Sequence, residues 1–118
     1  MDLLTPALGK RLLENGRAQA TVRGTDAEID FPPVVKLCTP DGDCTWLLSE
    51  IDPDNPDIAF GLCDLGLGFP ELGSVSLAEL GELRGALNLP VERDLWFEAK
   101  HGIGAYADQA AALGYLRA

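Results

Sequence analysis

Apolar residues recur first at Leu8, Leu12 and Leu13, a helical stripe that follows Thr5-Pro6. A hydroxyl N-cap with proline at the first helical position is a favourable helix start, and Asn15-Gly16 reads as its C-terminal stop. Ala18, Ala20 and Val22 then alternate with Gln19, Thr21 and Arg23, which predicts a strand, and Phe31-Pro32-Pro33 forces an extended linker. Residues 34–39 form a β-branched apolar run, Pro40-Asp41-Gly42-Asp43 a turn, and residues 44–51 the returning strand. Strict alternation puts Cys44, Trp46 and Leu48 on one face and Thr45, Leu47, Ser49 and Ile51 on the other.

The second turn, Asp52-Pro53-Asp54-Asn55-Pro56-Asp57, leads into a third strand over residues 58–65, with Ile58, Phe60 and Leu62 aligned. Sequential strands joined by short loops make an antiparallel meander. Gly66, Gly68 and Gly73 punctuate the next stretch, which ends in a short strand over residues 73–75. Ser76-Leu77-Ala78-Glu79 is a capping box, opening a helix that runs to Arg84, stops at Gly85 and buries Leu77, Leu80 and Leu83. A strand over residues 95–99 and an alanine-rich helix over residues 105–116 complete the chain, which contains no internal repeat. The expected fold is α+β: an antiparallel sheet of four to six strands with an N-terminal, a short internal and a C-terminal helix.

Length and composition add boundaries. The 118 residues suit one domain over residues 1–118, and 47% hydrophobic with 24% charged residues is globular rather than disordered. No apolar run is long enough to span a membrane, and Met1-Asp2-Leu3-Leu4-Thr5-Pro6 lacks a signal peptide's basic start, so the expected location is cytoplasmic. Cys38, Cys44 and Cys63 are odd in number and match no zinc spacing, and His101 is the lone histidine; free thiols and no bound cofactor are expected. A net charge of −10 argues against nucleic acid or anionic membrane as direct ligands and permits a basic protein partner.

That charge is uneven. Between Lys36 and Arg84 there is no base, yet there are ten acids, many of them in turns. Asp41, Asp43, Asp52, Asp54 and Asp57 are therefore the candidate partner-binding residues, an acidic face whose field reaches about a Debye length, ~8 Å at physiological salt. The bland reading of the same residues is a solubilising surface. Asp52-x-Asp54-x-x-Asp57 resembles the start of a calcium loop, but Asp57 and Cys63 stand where such a loop needs glycine and a bidentate glutamate. Asp54 and Asp57 with Glu98-x-Lys100 outline a metal-dependent phosphodiesterase, in which carboxylates hold the ion and lysine polarises the phosphate. Glu92-Arg93-Asp94 with Arg84 forms a mixed-charge cluster, read as a salt-bridge lock between the internal helix and the last strand. No Ser-His-Asp arrangement, Walker loop or complete dinucleotide fingerprint is present.

Thr45-Trp46, Phe60-Gly61, the run Gly68-Phe69-Pro70-Glu71-Leu72-Gly73, Ser76-Leu77-Ala78-Glu79-Leu80, Leu83-Arg84-Gly85 and the run from Leu89-Pro90 through Trp96-Phe97-Glu98 occur in this order. Together they resemble the bacterial domain of unknown function 2958 family, over roughly residues 35–100. The resemblance implies a small single-domain protein of the kind often carried by plasmids and other mobile elements. It implies no catalytic residue, because the family has no assigned activity. The resulting expectation is a non-enzymatic interaction module of a mobile element, binding a basic protein surface in an anti-defence or nucleic-acid-mimicking role. The alternative is the small metal-dependent enzyme.

Overall fold

A computed structural model describes residues 3–118. Helix α1 spans Pro6–Ala20, followed by strands β1 (Val35–Cys38), β2 (Thr45–Ile51), β3 (Ile58–Asp64) and β4 (Glu71–Ser76), helix α2 (Leu77–Glu82), strand β5 (Glu92–Arg93) and helix α3 (Ile103–Leu113). All pairings in the five-stranded sheet are antiparallel, in the order β4-β3-β2-β1-β5, so the first four strands are the expected meander and β5 closes the β1 edge. The α+β expectation holds.

The sheet is sandwiched between helices. Leu12 of α1 and Leu80 of α2 join Val35, Leu37, Trp46, Leu48, Ile51, Ala59 and Val91 in one apolar cluster. Leu47 and Leu62, which alternate with those strand residues, point to the other face and meet Ile103, Tyr106 and Ala110 of α3. Strand β2 is the buried axis: every residue of it after Thr45 is buried.

Five local expectations are corrected. Helix α1 does not stop at Asn15-Gly16 but continues to Ala20, and residues 21–27 form turns rather than a strand. Gly16 is instead the point where the helix crosses the sheet, for a Cβ there would collide with the Ile51 carbonyl. Asn15 Nδ2 donates to the Ser49 carbonyl at 2.9 Å. The alternation along β2 breaks as well: the β2–β3 register shifts between Leu48 and Glu50, so Ile51 lands on the same face as Trp46 and Leu48.

Residues 95–99 are irregular, the last strand being the two residues of β5. The segment is held without a ladder: Trp96 N–H donates to Asp94 at 2.9 Å and Lys100 N–H to the Tyr106 hydroxyl at 2.9 Å. Finally, α2 ends at Glu82, and Leu83 lies exposed beyond it while Leu80 is buried and Leu77 packs against the core.

Two glycines of α1 separate propensity from packing. A Cβ at Gly9 meets nothing, so Gly9→Ala should stabilise by about 0.5–1 kcal/mol through helix propensity alone. Gly16→Ala gains the same propensity but must push the helix off β2, and should destabilise by about 1–3 kcal/mol. Urea denaturation of both variants, showing opposite shifts in midpoint, checks the assignment of Gly16 as a helix–sheet contact.

Candidate protein-interaction surface

The acidic turns are built first by their own backbone needs. Thr39 shapes the β1–β2 turn: its N–H donates to the Cys44 carbonyl at 3.0 Å and its hydroxyl accepts from Cys44 N–H at 3.0 Å. Asp41 leaves that turn sideways and accepts from Leu87 N–H at 2.7 Å and, more weakly, Leu89 N–H at 3.4 Å. Its carboxylate occupies the space a side chain at Gly85 would need, and its other oxygen, Oδ1, is buried without a partner among the described residues. Asp41 is thus a clasp on the loop over residues 85–89. Asp43 is exposed on the same turn.

In the β2–β3 turn, Asp52 accepts from Asp54 N–H at 2.8 Å, an Asx turn, and Asp54 is exposed. Asp57 caps α2, accepting from Ala78 N–H at 2.9 Å and from the Ser76 hydroxyl at 2.6 Å. Ser76 in turn accepts from Glu79 N–H at 3.2 Å. These donors hold the Asp57 carboxyl below the usual aspartate range, the Ser76 hydroxyl contributing most and the Ala78 amide next.

The five candidate aspartates do not form one face. The β1–β2 and β2–β3 turns lie at opposite ends of β2, and seven residues of strand separate them by ~23 Å. With screening over ~8 Å, the two ends act as separate electrostatic surfaces. Two more of the ten acids are buried altogether: Glu50 pairs with Arg23 at 3.1 Å, and Asp64 accepts from Gly66 N–H and Leu116 N–H, both at 2.8 Å. Asp43, Asp52, Asp54, Asp57, Glu71, Glu79 and Glu82 remain exposed.

At the Asp43 end the structure adds what the charge pattern did not show. The β3–β4 loop carries Leu65, Leu67 and Phe69 at 54%, 73% and 79% exposure. Gly66 and Gly68 allow this, both sitting at positive φ (77° and 88°), so the chain twists and turns its apolar side chains outward. Asp64 fastens the loop at its base, and a Cβ at Gly66 would press on Asp43, so loop and turn are packed together. The three apolar side chains line, with Cys63 and Glu71, a shallow depression of ≈ 270 Å³. The interleaving of leucine and glycine in Leu65-Gly66-Leu67-Gly68-Phe69 was the available sequence signal. Read as punctuation between two strands, the glycines draw attention away from the leucines and phenylalanine between them.

The remaining candidates are dispersed. Among the described residues no three His, Cys, Asp or Glu side chains come together to hold a metal ion, so Asp54, Asp57 and Glu98 are not gathered into one three-carboxylate group. Nor do Arg84, Glu92, Arg93 and Asp94 pair with one another. Arg84 donates to the Gly81 and Leu83 carbonyls at 3.1 and 2.8 Å, Arg93 to the Leu3 carbonyl at 2.6 Å, and Asp94 pairs with Lys36 at 3.7 Å. None of these bonds joins α2 to the last strand, so the expected salt-bridge lock is replaced by guanidinium bonds to backbone carbonyls of α2's own end and of the N-terminal segment. His101 stacks at a tilt on Tyr106, ring centroids 5.2 Å apart.

All three cysteines are free. Cys44 and Cys63 pack against the α1-side core, while Cys38 follows Leu37 and so faces the other way, which keeps the two turn-flanking thiols apart. Burial is the main cause raising each thiol above the ordinary cysteine value.

A family model described as a protein of unknown function (DUF2958) matches residues 3–117, and the chain belongs to that family. The match takes in α1 and α3, outside the central region that carries the motif resemblance. No curated protein and no solved structure matches the chain. No helix among the described residues is long and apolar enough to cross a membrane.

Two predictions follow from these groups. Because the folded Asp57 carboxyl is depressed, its stabilisation is complete above the ordinary aspartate value and is lost as pH falls through the depressed one. Asp57→Asn should therefore melt lower than wild type at neutral pH, with the gap closing on acidification; melting curves across that range test the sign. For the cysteines, thiol counting on freshly lysed, unreduced protein should find three. Their alkylation should be slower than that of free cysteine at neutral pH and accelerate only above the ordinary thiol range, since the thiolate is the reactive form.

Proposed function

We propose that the protein is a non-enzymatic interaction module that binds a basic surface on another protein, using the end of the sheet formed by the β1–β2 turn and the β3–β4 loop. The observation that carries this reading is the exposed trio Leu65, Leu67 and Phe69, three large apolar side chains sharing one depression. Exposed aromatic and aliphatic anchors ringed by charge have the anatomy of a binding hot spot. Here the rim is acidic, with Glu71 lining the depression and Asp43 on the turn packed against the loop. Neither Lys nor Arg occurs between Lys36 and Arg84, so the turn and the loop carry no base of their own.

The partner chemistry is a cationic surface with an apolar recess. Proteins that handle nucleic acid carry such cationic surfaces, and an acidic protein competing for one accords with a mobile-element origin. The second acidic end, Asp52 and Asp54, belongs to solubility in this reading.

The test begins by purifying the tagged protein from its host and identifying what co-purifies. Leu67→Ser with Phe69→Ser should leave the melting temperature close to wild type, because both side chains are exposed, and weaken that partner's binding at least tenfold. Asp43→Asn with Glu71→Gln should slow association several-fold at low salt, with the effect shrinking at physiological salt. Asp52→Asn with Asp54→Asn should change neither. Equal binding by wild type and the Leu67/Phe69 variant overturns the proposal.

A further inference from the structure

We infer that the basic partner supplies an extended segment that adds to the open edge of β4 as a sixth strand. The inference rests on the reading above for the partner's charge, and on the sheet's register for its mode of docking. Beyond the β3–β4 ladder, Leu77 N–H donates to the Asp57 carbonyl at 2.8 Å. That bond sets the phase of the ladder, because hydrogen-bonded and non-hydrogen-bonded pairs alternate in antiparallel sheets. With Ile58 opposite Ser76 and Ala59 opposite Val75, the residues bonding to β3 are Val75, Gly73 and Glu71. Leu72 and Ser74 then turn their N–H and C=O groups away from β3, toward the outer edge. Among the described residues no protein group bonds to them there. They are a template for one more strand.

The edge also lacks the usual protection. Strand β4 runs six residues without lysine, proline or a register shift, whereas the opposite edge, β5, is two residues long. What brackets β4 is charge: exposed Glu71 at its start, and exposed Asp57 and Glu79 at the α2 cap beyond its end. A second copy of this chain would set acid against acid across such an edge, with −10 on each molecule. An extended segment of about six residues, ~20 Å long with a lysine or arginine near each end, meets all three carboxylates instead. Leu72, 44% exposed and flanking the apolar loop in sequence, offers an apolar contact along the way.

The probe is a capped peptide, Lys-Val-Thr-Val-Thr-Lys, compared with the same peptide carrying Glu for both Lys. Backbone amide exchange, followed by NMR on the full chain, should show Leu72 and Ser74 slowing about tenfold at saturating Lys peptide, while Gly73 and Val75 are already slow. The Glu peptide should bind at least tenfold more weakly. Ser74→Pro removes an N–H that β3 does not use, so it should fold and lose the peptide, and Ser74→Ala should keep it. N-methylating alternate residues of the peptide removes its ladder donors and should abolish binding whether or not Ser74→Pro folds. Absent binding, unchanged exchange at Leu72 and Ser74, indifference to N-methylation, or a β4-paired dimer in sedimentation would each overturn the inference. The host partner separates this from the docking surface. Sensitivity to Leu67→Ser and Phe69→Ser with indifference to Ser74→Pro removes strand addition alone, and the reverse removes the apolar anchor alone.

Discussion

Strand β2 has to be apolar on both faces at once, and much of the architecture answers that constraint. It lies between β1 and β3 at the middle of the sheet, with α1 packed on one side and α3 on the other. Strict alternation would have sent Ile51 to the α3 side, away from the cluster it completes with Trp46 and Leu48. The register shift near Ser49 corrects the phase, and a shift of this kind leaves backbone groups outside the ladder. Asn15 meets the Ser49 carbonyl, and Gly16 lets α1 come close enough for that bond to form. The Asn-Gly pair in the helix and the irregularity in the strand are two halves of one contact.

That coupling explains which parts of the fold are legible in the sequence. Elements defined by their own residues can be read directly: the Thr5-Pro6 start, the three meander strands, the Ser76 cap and the C-terminal helix. Those defined by a distant neighbour cannot. Asn15-Gly16 has the chemistry of a helix stop, and only the Ile51 backbone across the interface gives it another use. Residues 18–23 alternate like a strand, but Gln19 is buried in the helix, bonding the Ile29 carbonyl and amide at 2.8 and 2.9 Å. Tertiary partners overrode the local period in both places.

The acids show the same limit from the side of function. A base-free stretch with ten carboxylates reads as one negative face, since a sequence shows how much charge there is and not where it points. In the fold, aspartate is a short acceptor well suited to loop N–H groups, which have no ladder to join. Asp41 serves Leu87, Asp57 serves Ala78, Asp64 serves Gly66 and Leu116, and Asp30 serves Gly104 at 2.9 Å. A good part of the apparent anomaly is therefore loop-fastening chemistry. Only the acids that stay exposed, Asp57 among them, can also meet a partner.

The fastening also bears on how well the exposed part can bind. A loop with glycines at two of its positions would be costly to order on docking, because glycine loses more backbone freedom than any other residue. Asp64 removes part of that cost in advance: it grips Gly66 with one oxygen and the C-terminal segment at Leu116 with the other, holding the loop's base against the body of the fold. Leu67 and Phe69 are thus presented from a preset position rather than from a floppy tip, and β4 begins immediately afterwards at Glu71. An apolar anchor, an acidic residue and an open strand edge follow one another within about ten residues of chain. That order allows one extended basic segment to engage all three, the apolar anchor giving affinity, the carboxylates steering the approach, and the strand edge setting the register.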